Sequence, residues 1–417
     1  MTPPVAALAE RFSRVRSVSE ALAQPLSAED AGAQSMTDAS PTKWHLAHTS
    51  WFFETFVLSR QPGFRPFRAN YGFLFNSYYE ALGARHPRPA RGILTRPALA
   101  EVMTYRTHVT ERVLELLDRQ GDDLGELGNV VELGVQHEQQ HQELIVTDLK
   151  HLFASSPLFP AYHEQPSGST HRAPPLGWRS FAEGVREIGH AGTGFAFDNE
   201  LPRHREFVEP YQLATRLVTN GEFLAFMQDG GYARPELWLS DGLRVVNERD
   251  WSAPAYWQRA ATNAHEVYTL SGIAPVVLDE PVCHVSYYEA DAYARWAGFR
   301  LPSEAEWEAA AEVQKVRGNF LDSGRLQPRA AEASDEPLLQ LFGDTWEWTA
   351  SAYSPYPGYS APAGPIGEYN GKFMCNQMVL RGGSCATPAN HVRSSYRNFF
   401  PADARWQFTG IRLARSA

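Results

Sequence analysis

The chain has 417 residues, 43% of them hydrophobic and 21% charged. That is the composition of an ordinary globular protein with room for two or three hydrophobic cores. A net charge of −10 without a long basic run argues against nucleic acid as a partner. Three cysteines, Cys283, Cys375 and Cys385, are odd in number and too few for a disulfide framework, which points to the cytoplasm.

The N-terminal stretch MTPPVAALAERFSRVRSVSEALAQPL carries charges throughout. It is expected to be a soluble helix over residues 4–24, with Leu8, Phe12, Val15 and Val18 on one side, and neither a signal nor a membrane segment. Asp38-Ala39-Ser40-Pro41 reads as a helix start with Pro in the first turn. The helix it opens, PTKWHLAHTSWFFETFVL at 41–58, aligns Trp44, His48, Trp51 and Thr55 on one face. His48 is flanked by more of that apolar stripe than His45. Residues 59–97 show little helical periodicity around the aromatic block of residues 71–79, and a loop this long is usually functional. A third helix is expected over residues 98–119.

Residues 130–151, VVELGVQHEQQHQELIVTDLKH, supply the fourth. Val130, Leu133, His137, His141, Leu144, Ile145 and Leu149 recur three and four apart and share one face. His137 and His141 thus sit one turn apart in an apolar stripe, the spacing at which a helix offers two ligands to one metal. The bland alternative is two core imidazoles satisfied by bundle carboxylates such as Glu138 or Glu143. With His48 as the third candidate ligand, the four helices describe an up-down bundle holding a metal site.

The Pro-rich polar connector that follows marks the domain boundary. The expected division is 1–155 for the bundle, 156–177 for the linker and 178–417 for an α+β domain of short strands. Helices are predicted at residues 219–229, 286–297 and 303–311, capped by Thr219, Ser286 and Ser303, the last with capping-box spacing to Glu306.

Four motifs carry a resemblance: RLPSEAEWE from Arg300, GDTWEWT from Gly343, LRGGS from Leu380 and GIRLAR from Gly410. Together they resemble the formylglycine-generating-enzyme-like (sulfatase-modifying factor) domain, a C-type-lectin-like fold. WHLAH followed by HEQQH is similar to a DinB-type helical bundle. The two joined resemble the EgtB-type sulfoxide synthases of ergothioneine biosynthesis, reinforced by LFNSYYEALG, GEYNGKFM and YRNFFPADARWQF.

The resemblance implies an enzyme using iron(II) and O2 to join a thiol to C2 of the imidazole of hercynine (Nα-trimethylhistidine). It implies His48, His137 and His141 as iron ligands, and Gln140, Asn398 and Phe399 as contacts of hercynine. Tyr78 and Tyr79 match tyrosines of the cysteine-using branch, where a phenol supplies a proton during oxygen reduction. Arg88 and Arg91, with Arg85 in reserve, are candidates for the carboxylate of an amino-acid thiol. Phe400 stands where the γ-glutamylcysteine branch has an acidic residue, so a smaller donor such as free cysteine is expected. The related SenA-type selenoneine synthases share this layout and use a seleno-sugar donor.

Three neutral imidazoles suit iron, zinc, copper and nickel alike, so a zinc-dependent DinB-like transferase or hydrolase is the rival reading. A binding module with a structural histidine cluster is the third. Cys375 and Cys385 are expected to be buried structural thiols in preference to a copper-thiolate or disulfide pair. The Asp344/Glu347 and Glu304/Glu306 carboxylates are expected to serve folding through caps and buried pairs, or an incidental calcium site. Small-molecule substrates, no membrane partner and a monomer or homodimer complete the expectations.

Overall fold

The computed structural model describes residues 5–121, 124–164, 171–262 and 264–417. Residues 165–170 of the expected linker lie outside these. The chain divides into two compact units. The first is Met1–Pro157 with Gly192–Phe195 and Pro362–Tyr369; the second is Leu158–Ala191, Ala196–Ala361 and Asn370–Ala417.

The first unit is built on helices α1 (Val5–Ala23), α2 (Ala28–Gly32), α3 (Thr42–Phe56), α4 (Tyr71–Phe75), α5 (Leu99–Gln120) and α6 (Gly125–Ala154). α3 packs on α5 and α6, and α1 on α6 and α5. Leu8, Phe12 and Val15 of α1 are buried, as the helical period requires. Gly134 of α6 allows α3 its close approach. A Cβ there would stand 2.4 Å from the Phe53 ring and 3.1 Å from that of Phe52, closer than packed carbon atoms come. This contact is one turn from His137.

The core of this bundle is also ionic. Glu138 accepts from Ser19 Oγ at 2.7 Å, from Arg16 Nη1 at 3.0 Å, and from Arg106 Nη2. Arg16 and Arg106 are fully enclosed. The two guanidiniums hold the Glu138 carboxyl down to about 2 against the opposing effect of burial. Glu138 therefore serves the arginines, and the bland alternative in which it satisfies the neighbouring histidines falls away.

The expected cap at the start of the second bundle helix is also corrected. Pro41 itself is the N-cap and no side chain bonds the first turn. The preceding Ser40 sends its N–H to Asp148 Oδ2 at 2.8 Å.

The second unit carries a four-stranded sheet in the order Asn398–Pro401, Gln377–Arg381, Trp346–Ala352, Thr409–Gly410. The first two pairings are antiparallel and the last parallel. A three-stranded sheet joins Trp178–Phe181, Tyr211–Ala214 and Ala414–Ser416. Helices α7 (Asn220–Gln228), α8 (Ser240–Glu248), α9 (Tyr287–Trp296) and α10 (Glu304–Ala311) belong to the same unit, with one further three-stranded sheet and two strand pairs. Thr219, Ser286 and Ser303 cap α7, α9 and α10, and all three form capping boxes with the acid three residues on. α8 was not foreseen.

Trp307, Tyr211, Leu213 and Phe342 form the core of this unit. Arg412 clamps Glu347 at 2.8 Å beside Trp307 Nε1, also 2.7 Å from that carboxylate. Glu304 pairs with Arg397 and Arg381, and Asp344 accepts from Asn319. These acids serve folding, as expected. The three cysteines are free thiols, but Cys375 is exposed and only Cys283 and Cys385 are buried, so the expectation of a buried thiol fails at Cys375.

Candidate metal centre

α3 and α6 run alongside each other and face one another with histidines. His48, His137 and His141 each offer a ring nitrogen, and these atoms lie within 4.8 Å of one another. All three rings are buried, with His141 the most accessible at 7%. His48 stacks on Trp44 (centroids 4.6 Å, 12°) and on Trp51 (5.4 Å, 18°). Phe52 packs on His137 at 4.7 Å. The rings are thus fixed by aromatic contacts that leave rotamers little freedom.

Hydrogen bonding fixes the tautomer of His48. Its Nδ1 lies 2.6 Å from the Phe75 carbonyl, which only accepts, so Nδ1 carries the proton and Nε2 the lone pair. That Nε2 stands 3.2 Å from Nε2 of His137. Two ligands about 2.1 Å from one metal ion in neighbouring positions are separated by roughly 3.0–3.4 Å, so the spacing fits a shared cation. Burial, first of all, lowers the pKa of each ring: His137 to about 3, and His48 and His141 well below the usual range. Each is a neutral imidazole, the state a metal requires. The donor set fits a divalent transition metal.

Two residues that sequence spacing did not single out support this cluster. His45 Nδ1 is 2.8 Å from His141 Nδ1, and His45 Nε2 is 3.0 Å from Asp148 Oδ2. Asp148 lies seven residues after His141, two turns along the same face of α6. An acid inside an apolar stripe was the available signal.

A third missed residue is Tyr369. The segment Pro362–Tyr369 clusters with the bundle, and the Tyr369 ring lies 5.7 Å from that of His137. Its hydroxyl donates to Gln140 Oε1. The Glu368 carboxylate accepts the N–H groups of Glu80 and Ala81, at 3.0 Å each. Tyr78 meets Tyr369 edge-on at 6.3 Å and stacks on Tyr79 at 4.7 Å. Tyr79 is fully buried against Trp51 and Phe56, and burial raises its pKa well above the ordinary value.

The loop arginines separate by environment. Arg85 is paired with Glu80 at 2.6 Å. Arg88 is exposed and donates to the Asp38 carbonyl. Arg91 is 3% exposed, lies over the Trp44 ring at 3.3 Å, and reaches only hydroxyls, Ser40 Oγ at 2.8 Å and Ser77 Oγ at 3.3 Å. Among the described residues it has no ion pair. Burial and then Arg88 lower its pKa to about 8.

In the second unit, Asn398, Phe399 and Phe400 are half-buried on one strand. Side chains alternate along a strand, so Asn398 and Phe400 share a side. Phe399 turns the other way, stacking on Tyr353 at 4.0 Å and facing Phe373 at 6.0 Å. Phe400 meets Trp406 edge-on at 6.0 Å.

The chain thus joins a helical unit with a three-histidine centre to an α+β unit of short strands. The DinB superfamily is matched over residues 11–145, and the sulfatase-modifying factor enzyme 1-like domain over 180–337 and 330–417. The chain is 32% identical to the hercynine oxygenase of Mycolicibacterium thermoresistibile, covering 90% of this chain and 87% of that one. It is 31% identical to the hercynine oxygenase of Mycolicibacterium smegmatis, covering 90% and 91%. The formylglycine-generating enzyme of Streptomyces coelicolor is 28% identical, over 54% of this chain and 84% of that one. The chain belongs to the hercynine oxygenase family. No helix among the described residues is long and apolar enough to cross a membrane.

Proposed function

We propose that His48, His137 and His141 hold iron(II), and that the protein uses O2 to join the sulfur of cysteine to C2 of the hercynine imidazole, giving a sulfoxide. The observation that carries this reading is the convergence of three neutral, buried imidazoles in a chain of the hercynine oxygenase family. The reaction balances. Hercynine C2–H, a thiol S–H and O2 give the C–S bond, one oxygen on sulfur, and water, with four electrons passing to O2. Iron(II) bound there supplies the activation of O2.

The remaining roles fall to this chain's own side chains. Asn398, Phe399 and Phe400 are proposed contacts of the substrates, with Gln140. An aromatic face attracts a quaternary ammonium, which suits the trimethylammonium group. Arg91 is proposed to hold the donor's carboxylate. A buried guanidinium with no carboxylate in direct contact is costly, and an incoming carboxylate relieves that cost. This favours an amino-acid thiol over a seleno-sugar, with Arg88 in the more exposed supporting place. Tyr369 and Tyr78, with Tyr79 behind them, are the phenols that keep a proton for oxygen reduction.

The test is aerobic incubation of the iron(II)-loaded protein with hercynine, offering cysteine, γ-glutamylcysteine and a seleno-sugar in parallel, with products read by mass. A cysteine–hercynine adduct carrying one added oxygen is expected. A selenium adduct alone would keep the site and reassign the donor. No adduct despite bound iron would return a zinc enzyme to the front.

A further inference from the structure

We infer that Asp148 and His45 form a positioning relay that presents Nε2 of His141, and not Nδ1, to the metal. The inference rests on the metal-centre reading above and extends it to two residues outside the three-histidine set.

The relay follows from donor and acceptor counting. Asp148 Oδ2 receives the Ser40 N–H at 2.8 Å and stands 3.0 Å from His45 Nε2. That oxygen acts as an acceptor, so His45 Nε2 carries the hydrogen. A neutral imidazole has one N–H, which leaves His45 Nδ1 as an acceptor. The 2.8 Å contact between His45 Nδ1 and His141 Nδ1 then needs its hydrogen on His141. The lone pair of His141 is thereby placed on Nε2.

The arrangement is rigid. His45 is 2% exposed and Asp148 5%, and the two rings pack with centroids 5.0 Å apart. His48 reaches the same outcome by a backbone carbonyl, His141 by a carboxylate acting through a second imidazole. Such outer partners orient a ligating histidine and raise its basicity, and losing one costs about 10- to 100-fold in metal affinity.

Cobalt(II) affinity, measured by chelator competition on the full chain, tests this without reference to turnover. In His45→Phe the ring is kept but the acceptor is lost, and cobalt(II) should bind about 10- to 100-fold more weakly. In His45→Asn the amide oxygen falls near the former Nδ1 position, and most of the loss should be recovered.

Wild-type affinity in His45→Phe would overturn the relay. So would equal weakening in both variants, because that would mark His45 as a packing residue. Absence of cobalt binding by the wild-type protein would remove the metal-centre reading and the relay with it. Should His45→Phe fail to fold, long-range proton–nitrogen spectra of the zinc-loaded wild-type protein decide the matter. A hydrogen on Nδ1 of His141 supports the relay, and a hydrogen on Nε2 overturns it.

Discussion

Replacing Glu138 by Gln asks whether the acid beside His137 belongs to the bundle's framework or to its metal centre. In the native bundle both carboxylate oxygens are spent on Arg16, Arg106 and Ser19. The amide in Glu138→Gln removes the charge and turns an N–H group towards guanidinium donors. The carboxyl is held from 4.5 down to about 2 in the fold. At about 1.4 kcal/mol per tenfold, that difference corresponds to about 3 kcal/mol. Removing one partner of a buried ion pair costs about 3–5 kcal/mol, so the two routes agree.

The sign follows from the depressed carboxyl. The contribution is complete above about pH 4.5 and fades as pH falls towards 2. Urea unfolding at pH 7, followed by the helical signal of the bundle, should show Glu138→Gln less stable by about 3 kcal/mol. The folded variant should bind cobalt(II) as tightly as the wild-type protein. A loss below about 1 kcal/mol, within the range of a surface pair, would refute the framework role. Intact stability with weakened metal binding would place Glu138 at the metal centre instead.

Further outcomes follow from the same geometry. The metal-free protein should lose stability as pH falls from about 6.5. The unfolded chain takes up protons there, while His137 stays neutral until about pH 3. His137 alone accounts for about 2 kcal/mol between pH 7 and pH 5, and His137→Gln should flatten the dependence; an unchanged slope would contradict the burial argument. Arg91→Met should raise the KM for cysteine by roughly 10- to 100-fold, the equivalent of losing about 1.5–3 kcal/mol of charged hydrogen bonding. The KM for hercynine should change little, and equal effects on both substrates would remove Arg91 from donor binding. Gly134→Ala should cost about 1–3 kcal/mol through overpacking against Phe53, read by thermal unfolding, and a neutral result would mean that α3 can retreat from α6.

Much of the centre was legible because a helix writes its ligands at fixed intervals. His137 and His141 are four apart within an apolar stripe, and His48 lies between two tryptophans of a second stripe. Each can be placed on a buried face from its own helix alone. The caps of α7, α9 and α10, and the box at the last of them, were legible for the same reason, since a cap is local chemistry.

What failed to show was the pairing of polar groups between elements. Nothing in the spacing of α3 says that His45 spans from His141 to Asp148, or that Ser40 completes Asp148. The partners of Glu138, Arg16 and Arg106, could not be read from its own helix because they come from two others. Tyr369 reaches His137 from 232 positions later in the chain, as their numbers show, a contact that only the folded topology makes. Arg91 and Arg88 look alike in the sequence, and only burial over Trp44 separates the unpaired guanidinium from the solvated one.

The most direct test of the central claim is a titration of the cobalt(II)-loaded protein with hercynine in the absence of O2, followed by the visible absorption of the metal. The account predicts one cobalt per chain and a change in the cobalt bands that saturates with hercynine. In His137→Ala, stoichiometric cobalt binding should be lost. A cobalt spectrum indifferent to hercynine at saturating concentration, or retained in His137→Ala, would contradict a hercynine-binding metal centre at these three histidines.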